Sequence, residues 1–162
     1  PEHLTMVTRK LEEMGATVAG KRRSIRVTGP KRLAPVSFTT FPFPGFPTDL
    51  QACMMAAACT AGGTSHIKET VFIDRFSHTM ELRRLGADIQ IHSAEAVVNG
   101  VESLHGAEVM APDIRAGAGI TLACLSAEGR SEVLRVYHID RGYDHLEEKL
   151  ASLGAEISRS SM

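Results

Sequence analysis

Leucine-rich segments with helical spacing recur along the chain, and each is followed by residues that alternate between hydrophobic and polar. The helical segments end three times in a glycine followed by alanine, at Gly15, Gly86 and Gly154. A glycine after the last helical turn favours the left-handed backbone that ends a helix, and the β-branched residues that come next favour a strand. Counted from glycine to glycine, the spacing is 71 and then 68 residues, so the pattern predicts an internal structural repeat.

The alternating segments predict the strands of each repeat. Residues 18–27 alternate around a polar KRRS turn, and residues 89–98 repeat this hairpin pattern. A third strand is predicted in PVSFTTF and in LHGAEVMA, and a fourth in HIKETVFI and in EVLRVYHI. Each fourth strand leads to an Asp-Arg pair, at Arg75 and at Arg141, and then to the next leucine-rich helix.

Two alanine-rich segments between the strands predict helices, and each begins at an acid with proline nearby. Asp49 lies in FPTDLQA and Asp113 in APDIRAG, where an aspartate is a favourable N-cap. We expect these helices to end near Gly63 and Gly129. The repeat unit is therefore strand, helix, strand, helix, strand, strand after circular permutation, and about two and a third copies fit in the chain. Hairpins combined with crossovers predict a mixed sheet covered by helices, in an α/β (α+β) fold.

Composition describes an ordinary globular chain of 162 residues, 43% of them hydrophobic and 23% charged. Eighteen basic against nineteen acidic side chains, with no tryptophan, argue against a nucleic-acid-binding protein, and the basic run at residues 21–23 is interpreted as a solvated turn. No apolar run reaches the ~18 residues of a membrane span, and the first residues lack the apolar core of a signal peptide. We therefore expect a cytoplasmic protein with no membrane partner, and the absence of an initial methionine suggests a fragment or a processed product.

Three cysteines, Cys53, Cys59 and Cys124, lie among alanine, methionine, leucine and threonine in helix-like stretches. Three thiols cannot all pair within one chain, and none of them has the spacing of a metal site, so a reducing compartment is the simplest inference. A reactive thiolate needs a cationic or helix-terminal setting. We therefore expect buried, unreactive thiols.

Acidic and basic residues recur at equivalent junctions between strands and helices. Asp49 and Asp113 occupy one such position, Arg75 and Arg141 another, and Arg115 lies two residues after Asp113. If the repeats pack around a pseudo-threefold axis, these helix starts can face a common side, where backbone N–H groups and guanidinium groups bind anions. The spacing alone leaves a second interpretation open, in which each aspartate is only a helix cap and each arginine forms a surface ion pair.

Four segments closely resemble the C-terminal part of the UDP-N-acetylglucosamine enolpyruvyl transferase (UDP-N-acetylglucosamine 1-carboxyvinyltransferase) family, in the EPSP synthase superfamily: FPGFPTDLQ, ETVFIDRFSHTMELRRLGAD, APDIRAG and YHIDRGYDHLEEKLASLGAEI. The resemblance runs from residue 1 to about residue 157. It implies that residues 1–162 are a partial C-terminal, catalytic domain, built as an inside-out α/β barrel with helices in the core and incomplete in this chain. It also implies that the 3-hydroxyl of the sugar adds to phosphoenolpyruvate and that the adduct releases phosphate, with neither metal nor organic cofactor.

The resemblance further implies roles for individual residues. Asp49 matches the acid that touches the sugar hydroxyl and is proposed to deprotonate it, and the proline- and phenylalanine-rich segment before it is expected to hold it rigidly. The three arginines match those that surround phosphoenolpyruvate and its departing phosphate, and Val71 matches a main-chain contact with the sugar nucleotide. His138 could approach the phosphate, with a structural role at a strand end as the alternative. The residues expected to bind substrate are Thr48, Asp49, Val71, Phe72, Arg75, Arg115 and Arg141, and those expected to be catalytic are Asp49, Asp113 and Arg141.

Parts of the family pattern are absent or different. The flexible loop with its reactive cysteine and the N-terminal lysine-asparagine pair belong to the other portion of the enzyme, and Cys53 and Gly117 stand where Gln and Ser are expected in relatives. We therefore expect the chain to supply half of an active site, to be inactive alone, and to need the missing N-terminal part as its partner. Two alternatives stay open: an enzyme like 5-enolpyruvylshikimate-3-phosphate synthase, and a non-catalytic module that binds a sugar nucleotide or another protein.

Overall fold

The computed structural model describes residues 2–21 and 24–160 as an alternation of short strands and helices. The helices are α1 (Thr5–Glu13), α2 (Gln51–Ala58), α3 (His78–Arg84), α4 (Ile114–Ser126), α5 (Tyr137–Asp140) and α6 (Leu146–Ser152), with 3₁₀ turns at Glu2–Leu4 and Thr48–Leu50. The strands are β1 (Thr17–Lys21), β2 (Ser24–Thr28), β3 (Ser37–Thr39), β4 (Thr64–Lys68), β5 (Asp88–His92), β6 (Glu95–Asn99), β7 (Leu104–His105), β8 (Glu108–Met110), β9 (Ala127–Glu128) and β10 (Glu132–Leu134).

Helices α2 and α4 pack against each other in the core of the molecule. Neither helix has a polar face, since α2 is Gln-Ala-Cys-Met-Met-Ala-Ala-Ala and α4 carries mainly alanine, glycine, isoleucine and leucine. A helix that is apolar on most sides is stable only when it is buried. The two backbones come so close that a Cβ added to Gly119 would lie 2.7 Å from the carbonyl group of Ala52. The expected placement of helices in the core is therefore present in this chain.

A four-stranded mixed sheet in the order β3-β4-β6-β5 covers one side of this core. Strands β3 and β4 are parallel, whereas β4 pairs with β6 and β6 with β5 in antiparallel register. Phe38, Ile67, Ile89 and Val98 are buried from these four strands, while alternating residues such as Lys68 are exposed. Three two-stranded pairs complete the structure: the β1-β2 hairpin and the parallel pairs β8-β10 and β7-β9. The mixed sheet and covering helices confirm the predicted fold class, and the described residues do not close a barrel.

The three predicted helix ends share one geometry. Gly15, Gly86 and Gly154 have φ angles of +92°, +93° and +99°, in the left-handed region. In each case the N–H of the alanine after the glycine donates to a leucine carbonyl five residues earlier, at 3.0, 3.1 and 3.1 Å. This is the bond that ends a helix in a Schellman motif. Both hairpins that follow the first two glycines are also present; Arg22 and Arg23 of the first turn lie outside the described residues.

Several predicted strands are shorter than the alternation suggested. HIKETVFI is a strand only to Lys68, because the N–H groups of Val71 and Phe72 donate to the Glu69 side chain instead of to another strand. EVLRVYHI is a strand only to Leu134, because Arg135 turns the backbone with a φ of +57°. LHGAEVMA forms the two short strands β7 and β8, and residues 155–160 contain no strand.

Two residue placements were wrong. Asp49 is not an N-cap: it lies inside the 3₁₀ turn Thr48–Leu50, whose N-cap is Pro47, and its side chain makes no capping bond. The reason is that Thr48 already turns the chain, so the carboxylate points away from the N–H groups of α2. His138 does not end a strand, because residues 137–140 form the helix α5, where its ring lies 4.3 Å from that of Tyr137.

The thiols lie in or against the core. Cys59 is fully buried and its Sγ donates to the Met55 carbonyl at 3.2 Å, while Cys53 and Cys124 are half-buried. Burial raises the pKa of all three thiols, that of Cys59 to about 12. A thiol that stays protonated at neutral pH is a poor nucleophile, in agreement with the unreactive role expected of these residues. Within residues 2–21 and 24–160, no helix combines the length and the apolar character that crossing a membrane requires.

Candidate functional site

The Asp49 carboxylate lies between two guanidinium groups that come from different parts of the chain. Its Oδ1 accepts a hydrogen bond from Nη1 of Arg75 at 3.3 Å and another from Nε of Arg115. Arg75 follows β4, and Arg115 lies in the first turn of α4. The Asp49 side chain is 59% exposed. Two positive charges and one negative charge at a solvent-accessible position leave this cluster with a net charge of +1, which suits an anionic ligand.

The segment before Asp49 is held at both ends, which fixes where the carboxylate emerges. Thr40 N–H donates to the Lys68 carbonyl at 2.8 Å, and Phe41 N–H donates to the Phe46 carbonyl at 2.9 Å. The ring of Phe46 is buried and packs on Phe38, with 4.1 Å between ring centroids. Residues 41–46 therefore form a closed turn anchored in the core, and the 3₁₀ turn with Asp49 follows directly.

Arg75 is supported from two sides. Its Nη1 donates to Oγ1 of Thr48 at 2.8 Å, and its guanidinium carbon lies 3.9 Å from the centroid of the Phe72 ring. A guanidinium group over an aromatic face gains cation–π attraction. The structure thus brings together five of the predicted residues, Thr48, Asp49, Phe72, Arg75 and Arg115.

Glu69 is a residue of this region that the sequence analysis missed. It is fully buried, and its Oε1 accepts from the backbone N–H groups of Val71 and Phe72 at 2.8 and 2.9 Å. Because the N–H of Val71 is used in this way, any main-chain contact of Val71 with a ligand must use its carbonyl oxygen. The only signal in the sequence is an acid at the end of an alternating strand, which is usually a solvated residue.

Asp113 has a different environment from Asp49. It is the N-cap of α4, as predicted: its Oδ1 accepts from the N–H groups of Arg115 and Ala116 at 2.9 and 2.8 Å. Its Oδ2 accepts from Oγ of Ser77 at 3.2 Å. Oδ1 therefore holds the first turn of α4, which carries Arg115, and Oδ2 joins this turn to the start of α3.

Two buried polar side chains that the sequence analysis also missed lie at the starts of α2 and α3, Gln51 and His78. The His78 ring is 1% exposed, and neither of its nitrogens has a hydrogen-bond partner among the described residues. Burial lowers the pKa of His78 to about 4, against the opposing effect of the negative charge of Asp113. Gln51 is also fully buried, and its Nε2 donates to the Arg75 carbonyl at 3.4 Å. Its side chain therefore links the first residue of α2 to the backbone of the arginine.

Arg141 is the predicted residue that the structure does not join to the others. It lies at the C-terminal end of α5 and is exposed, with no side-chain hydrogen bond to another described residue. Its neighbour Asp140 is paired with Arg159 at 3.0 Å, and this hydrogen bond lowers the pKa of the Asp140 carboxyl. Tyr143, two residues after Arg141, does approach the cluster: burial raises the pKa of its phenol, the positive charge of Arg115 lowers it, and the negative charge of Asp49 raises it.

Gly117, one of the two departures from the expected family pattern, is tightly enclosed. A Cβ added there would lie 2.6 Å from Cγ1 of Ile139 and 3.0 Å from Cβ of Ala111. Ile139 belongs to α5, so the glycine lets α5 pack closely on α4. Cys53, the other departure, lies in the first turn of α2 and is half-buried.

The fold that carries this cluster of charges is also found in the EPSP synthase family. Residues 1–150 match the family model described as EPSP synthase (3-phosphoshikimate 1-carboxyvinyltransferase), and the chain therefore belongs to this family. Within it, the chain is 52% identical to the UDP-N-acetylglucosamine 1-carboxyvinyltransferase of Myxococcus xanthus (strain DK1622) and 54% identical to that of Anaeromyxobacter sp. (strain Fw109-5), over 98% of this chain in each case. These relatives confirm the resemblance that the sequence motifs indicated.

Solved structures agree with this assignment at the level of the fold. The enolpyruvyl transferase NikO from Streptomyces tendae superimposes with a TM-score of 0.88 and 31% identity over 96% of this chain. EPSP synthase from Acinetobacter baumannii superimposes with a TM-score of 0.70 over 97% of the chain, and at 18% identity it supports the fold alone. The chain spans 38% of the length of the Myxococcus protein, 37% of the Anaeromyxobacter protein and 36% of NikO.

Proposed function

We propose that this chain is part of the C-terminal, catalytic domain of a UDP-N-acetylglucosamine 1-carboxyvinyltransferase. In this proposal, the whole enzyme acts in the cytoplasm, transfers the enolpyruvyl group of phosphoenolpyruvate to the sugar nucleotide and starts peptidoglycan synthesis, on which cell shape and division depend. The observation that carries the proposal is the Asp49 carboxylate held between Arg75 and Arg115 at an exposed position. The identity of 52% and 54% to enzymes with this name supports the choice of substrates.

The reaction defines what the cluster has to do. The 3-hydroxyl oxygen of the sugar forms a bond to C2 of phosphoenolpyruvate, the hydroxyl proton passes to a base, and C3 gains a proton. The resulting tetrahedral adduct then loses inorganic phosphate by cleavage of the bond between C2 and the phosphate oxygen. C3 loses one proton in the same step, which restores the double bond. Both steps involve a substrate with a carboxylate and a phosphate group, so cationic groups that are fixed in place stabilise the charge that moves between them.

Arg75 and Arg115 supply such cations in this proposal, with Arg141 as a third. Guanidinium groups bind carboxylate and phosphate through two parallel N–H donors, and each of the first two already faces a carboxylate, that of Asp49. An anionic substrate that takes over these donors would release Asp49 to accept the proton of the sugar hydroxyl. Asp49 then acts as the general base, and its fixed position matters more than its basicity.

The chain is proposed to contribute only part of this site. It spans less than two fifths of its relatives, and the flexible loop and the lysine-asparagine pair of the family lie in the portion that it does not contain. We propose that the N-terminal part of the same enzyme is its partner, and that phosphoenolpyruvate and UDP-N-acetylglucosamine bind between the two. The isolated chain is then inactive or nearly so.

The experiment that tests this proposal measures phosphate release from phosphoenolpyruvate and UDP-N-acetylglucosamine. The chain is assayed alone and then mixed with a separately made N-terminal portion of a related enzyme. We expect activity in the mixture only, with a loss of at least about a hundredfold on Asp49→Ala or Arg141→Ala. Glu12→Ala is the matched control, because Glu12 is an exposed acid on α1, and its removal is expected to leave the rate unchanged.

Two outcomes would replace the proposal with one of its alternatives. Activity with shikimate 3-phosphate in place of the sugar nucleotide would assign the chain to the sister enzyme. Binding of UDP-N-acetylglucosamine by the chain with no activity in any mixture would indicate a non-catalytic module.

A further inference from the structure

The buried carboxylate of Glu69 accepts several hydrogen bonds next to the cluster of Asp49, Arg75 and Arg115. Its Oε1 accepts from Oγ1 of Thr40 at 2.7 Å and from the N–H groups of Val71 and Phe72. Its Oε2 accepts from Oγ1 of Thr48 at 2.9 Å. The Glu69 side chain is fully buried and accepts four hydrogen bonds. An acid at the end of a strand is usually exposed to solvent.

The direction of each bond is fixed by the neighbouring donors. Oγ1 of Thr40 accepts from the N–H of Thr70 at 2.9 Å, and Oγ1 of Thr48 accepts from Nη1 of Arg75 at 2.8 Å. Each hydroxyl therefore has its own proton free to donate to Glu69. All four partners are donors, which matches an ionised carboxylate, a group that only accepts hydrogen bonds.

Burial of a carboxylate costs free energy even when it is well paired, so stability alone does not account for an acid at this position. What the arrangement provides is orientation. Thr48, one support of Arg75, donates to Oε2 of Glu69, and Phe72, the other support, is held through its N–H by Oε1. Both contacts that fix the Arg75 guanidinium beside Asp49 therefore depend on one carboxylate.

We propose that Glu69 is a positioning residue, which orients the Arg75 guanidinium through Thr48 and Phe72 and so sets the affinity of the site for phosphoenolpyruvate. This inference rests on the proposed function. It predicts a specific effect of Glu69→Gln, because glutamine has one acceptor oxygen and one NH₂ group. With its oxygen toward the two backbone N–H groups, the NH₂ group faces Oγ1 of Thr48 as a second donor beside Nη1 of Arg75. The Thr48 proton then has no acceptor at position 69, so the hydroxyl loses the bond that orients it and its contact with Arg75 is weakened.

The first test compares steady-state constants in the mixture of the chain with the N-terminal portion. We expect Glu69→Gln and Thr48→Val to raise the KM for phosphoenolpyruvate by about tenfold, with a much smaller change in the KM for the sugar nucleotide. Thr48→Ser keeps the hydroxyl, so it is expected to raise the KM for phosphoenolpyruvate clearly less than Thr48→Val does. Glu81→Gln is the matched control, because Glu81 is also buried and its Oε2 accepts from the Met110 N–H at 3.0 Å. Equal losses in Glu69→Gln and Glu81→Gln, or an unchanged KM in Glu69→Gln, would overturn the inference.

The second test uses the chain alone and separates the two proposals. Exchange of the Arg75 guanidinium protons with water is followed by nitrogen-15 NMR, with the signal assigned by its loss in Arg75→Lys. We expect exchange to become about tenfold faster in Glu69→Gln and Thr48→Val, and to stay at the wild-type rate in Thr48→Ser and Glu81→Gln. Faster exchange without activity in any mixture would uphold the positioning of Arg75 and reject the proposed function. Unchanged exchange in an active mixture would reject the positioning alone.

Discussion

At the scale of single residues, Asp49 and Asp113 show how similar sequence positions acquire different environments. Both follow a proline closely and were predicted to cap helices. Asp113 has an extended backbone, with φ −154° and ψ 176°, so its carboxylate turns back to the N–H groups of α4. Asp49 lies inside a 3₁₀ turn, so its carboxylate reaches Arg75 and Arg115 instead. The sequence could locate both acids, but only the backbone conformation decides which carboxylate is used for capping and which is paired with arginines.

Glu69 and His78 could not be found from the sequence, for a related reason. Each is a polar residue that becomes buried only when elements distant in the chain pack around it. Asp49, Arg75 and Arg141 were identifiable because they lie at equivalent places in successive repeats, and Arg115 because it follows the equivalent Asp113 by two residues. A single buried acid or histidine has no such repetition, and its usual position is at the surface.

Acid is expected to destabilise the chain through His78. Burial lowers the pKa of its imidazole from 6.5 to about 4, so the unfolded state binds a proton more readily than the folded state. The stability is fully present above pH 6.5 and falls as the pH is lowered toward 4, by on the order of 3 kcal/mol. Free energies of unfolding from urea titrations at several pH values in this window measure the loss.

The matched variants for this measurement are His78→Leu and His92→Gln. His78→Leu keeps a side chain of similar size without a titrating group, so its stability should fall less steeply between pH 6.5 and 4. His92 is exposed in the β5-β6 hairpin, and its replacement should leave the pH profile of the wild type unchanged. The same slope for wild type and His78→Leu would show that another group causes the acid effect.

At the scale of helices and strands, the spacing of hydrophobic residues located the elements but not all of their ends. The alternation in HIKETVFI continues to Ile73, yet β4 stops at Lys68 because Glu69 takes the backbone N–H groups that the next ladder bonds would need. The glycine helix ends were predicted correctly, since a left-handed residue is a local requirement that one glycine satisfies. A side chain and a neighbouring strand can compete for the same backbone N–H groups. The outcome depends on residues distant in the chain, so the spacing of hydrophobic residues does not indicate it.

The crossing of α2 and α4 predicts a large effect of a single methyl group. Gly119→Ala would place its Cβ 2.7 Å from the backbone of Ala52, and neither helix can move without disturbing the core. Alanine improves helix propensity by up to about 1 kcal/mol, but overpacking costs about 1 to 3 kcal/mol. We expect a net loss of up to about 2 kcal/mol in the free energy of unfolding, and a lower Tm. Gly20→Ala is the control, because nothing lies within 4 Å of a Cβ there; equal Tm values for the two variants would contradict the close crossing.

At the scale of the whole molecule, the repeats that look alike in sequence are unequally buried. Helices α2 and α4, which come from successive units, and the four-stranded sheet surround one core. Helices α1 and α6 contain no buried residue, and the β1-β2 hairpin has exposed or half-buried residues on both faces. A repeat unit buries its apolar face only against its neighbours, so equivalent sequences differ in stability according to what packs beside them.

This inequality predicts two levels of protection in amide hydrogen exchange. Amides of β4 and β6 lie in the middle of the sheet and should exchange only through opening of the whole core, whereas those of the β1-β2 hairpin and α6 should exchange through local opening. We expect the peripheral amides to exchange at least about a hundredfold faster, as a difference of about 3 kcal/mol in opening free energy requires. Mass spectrometry of exchanged peptides measures both groups in one experiment.

If the N-terminal portion packs on the chain as proposed, its addition should slow exchange in the periphery and leave β4 and β6 unchanged. Uniform protection in the isolated chain would show instead that the hairpin and α6 belong to the same cooperative unit as the core.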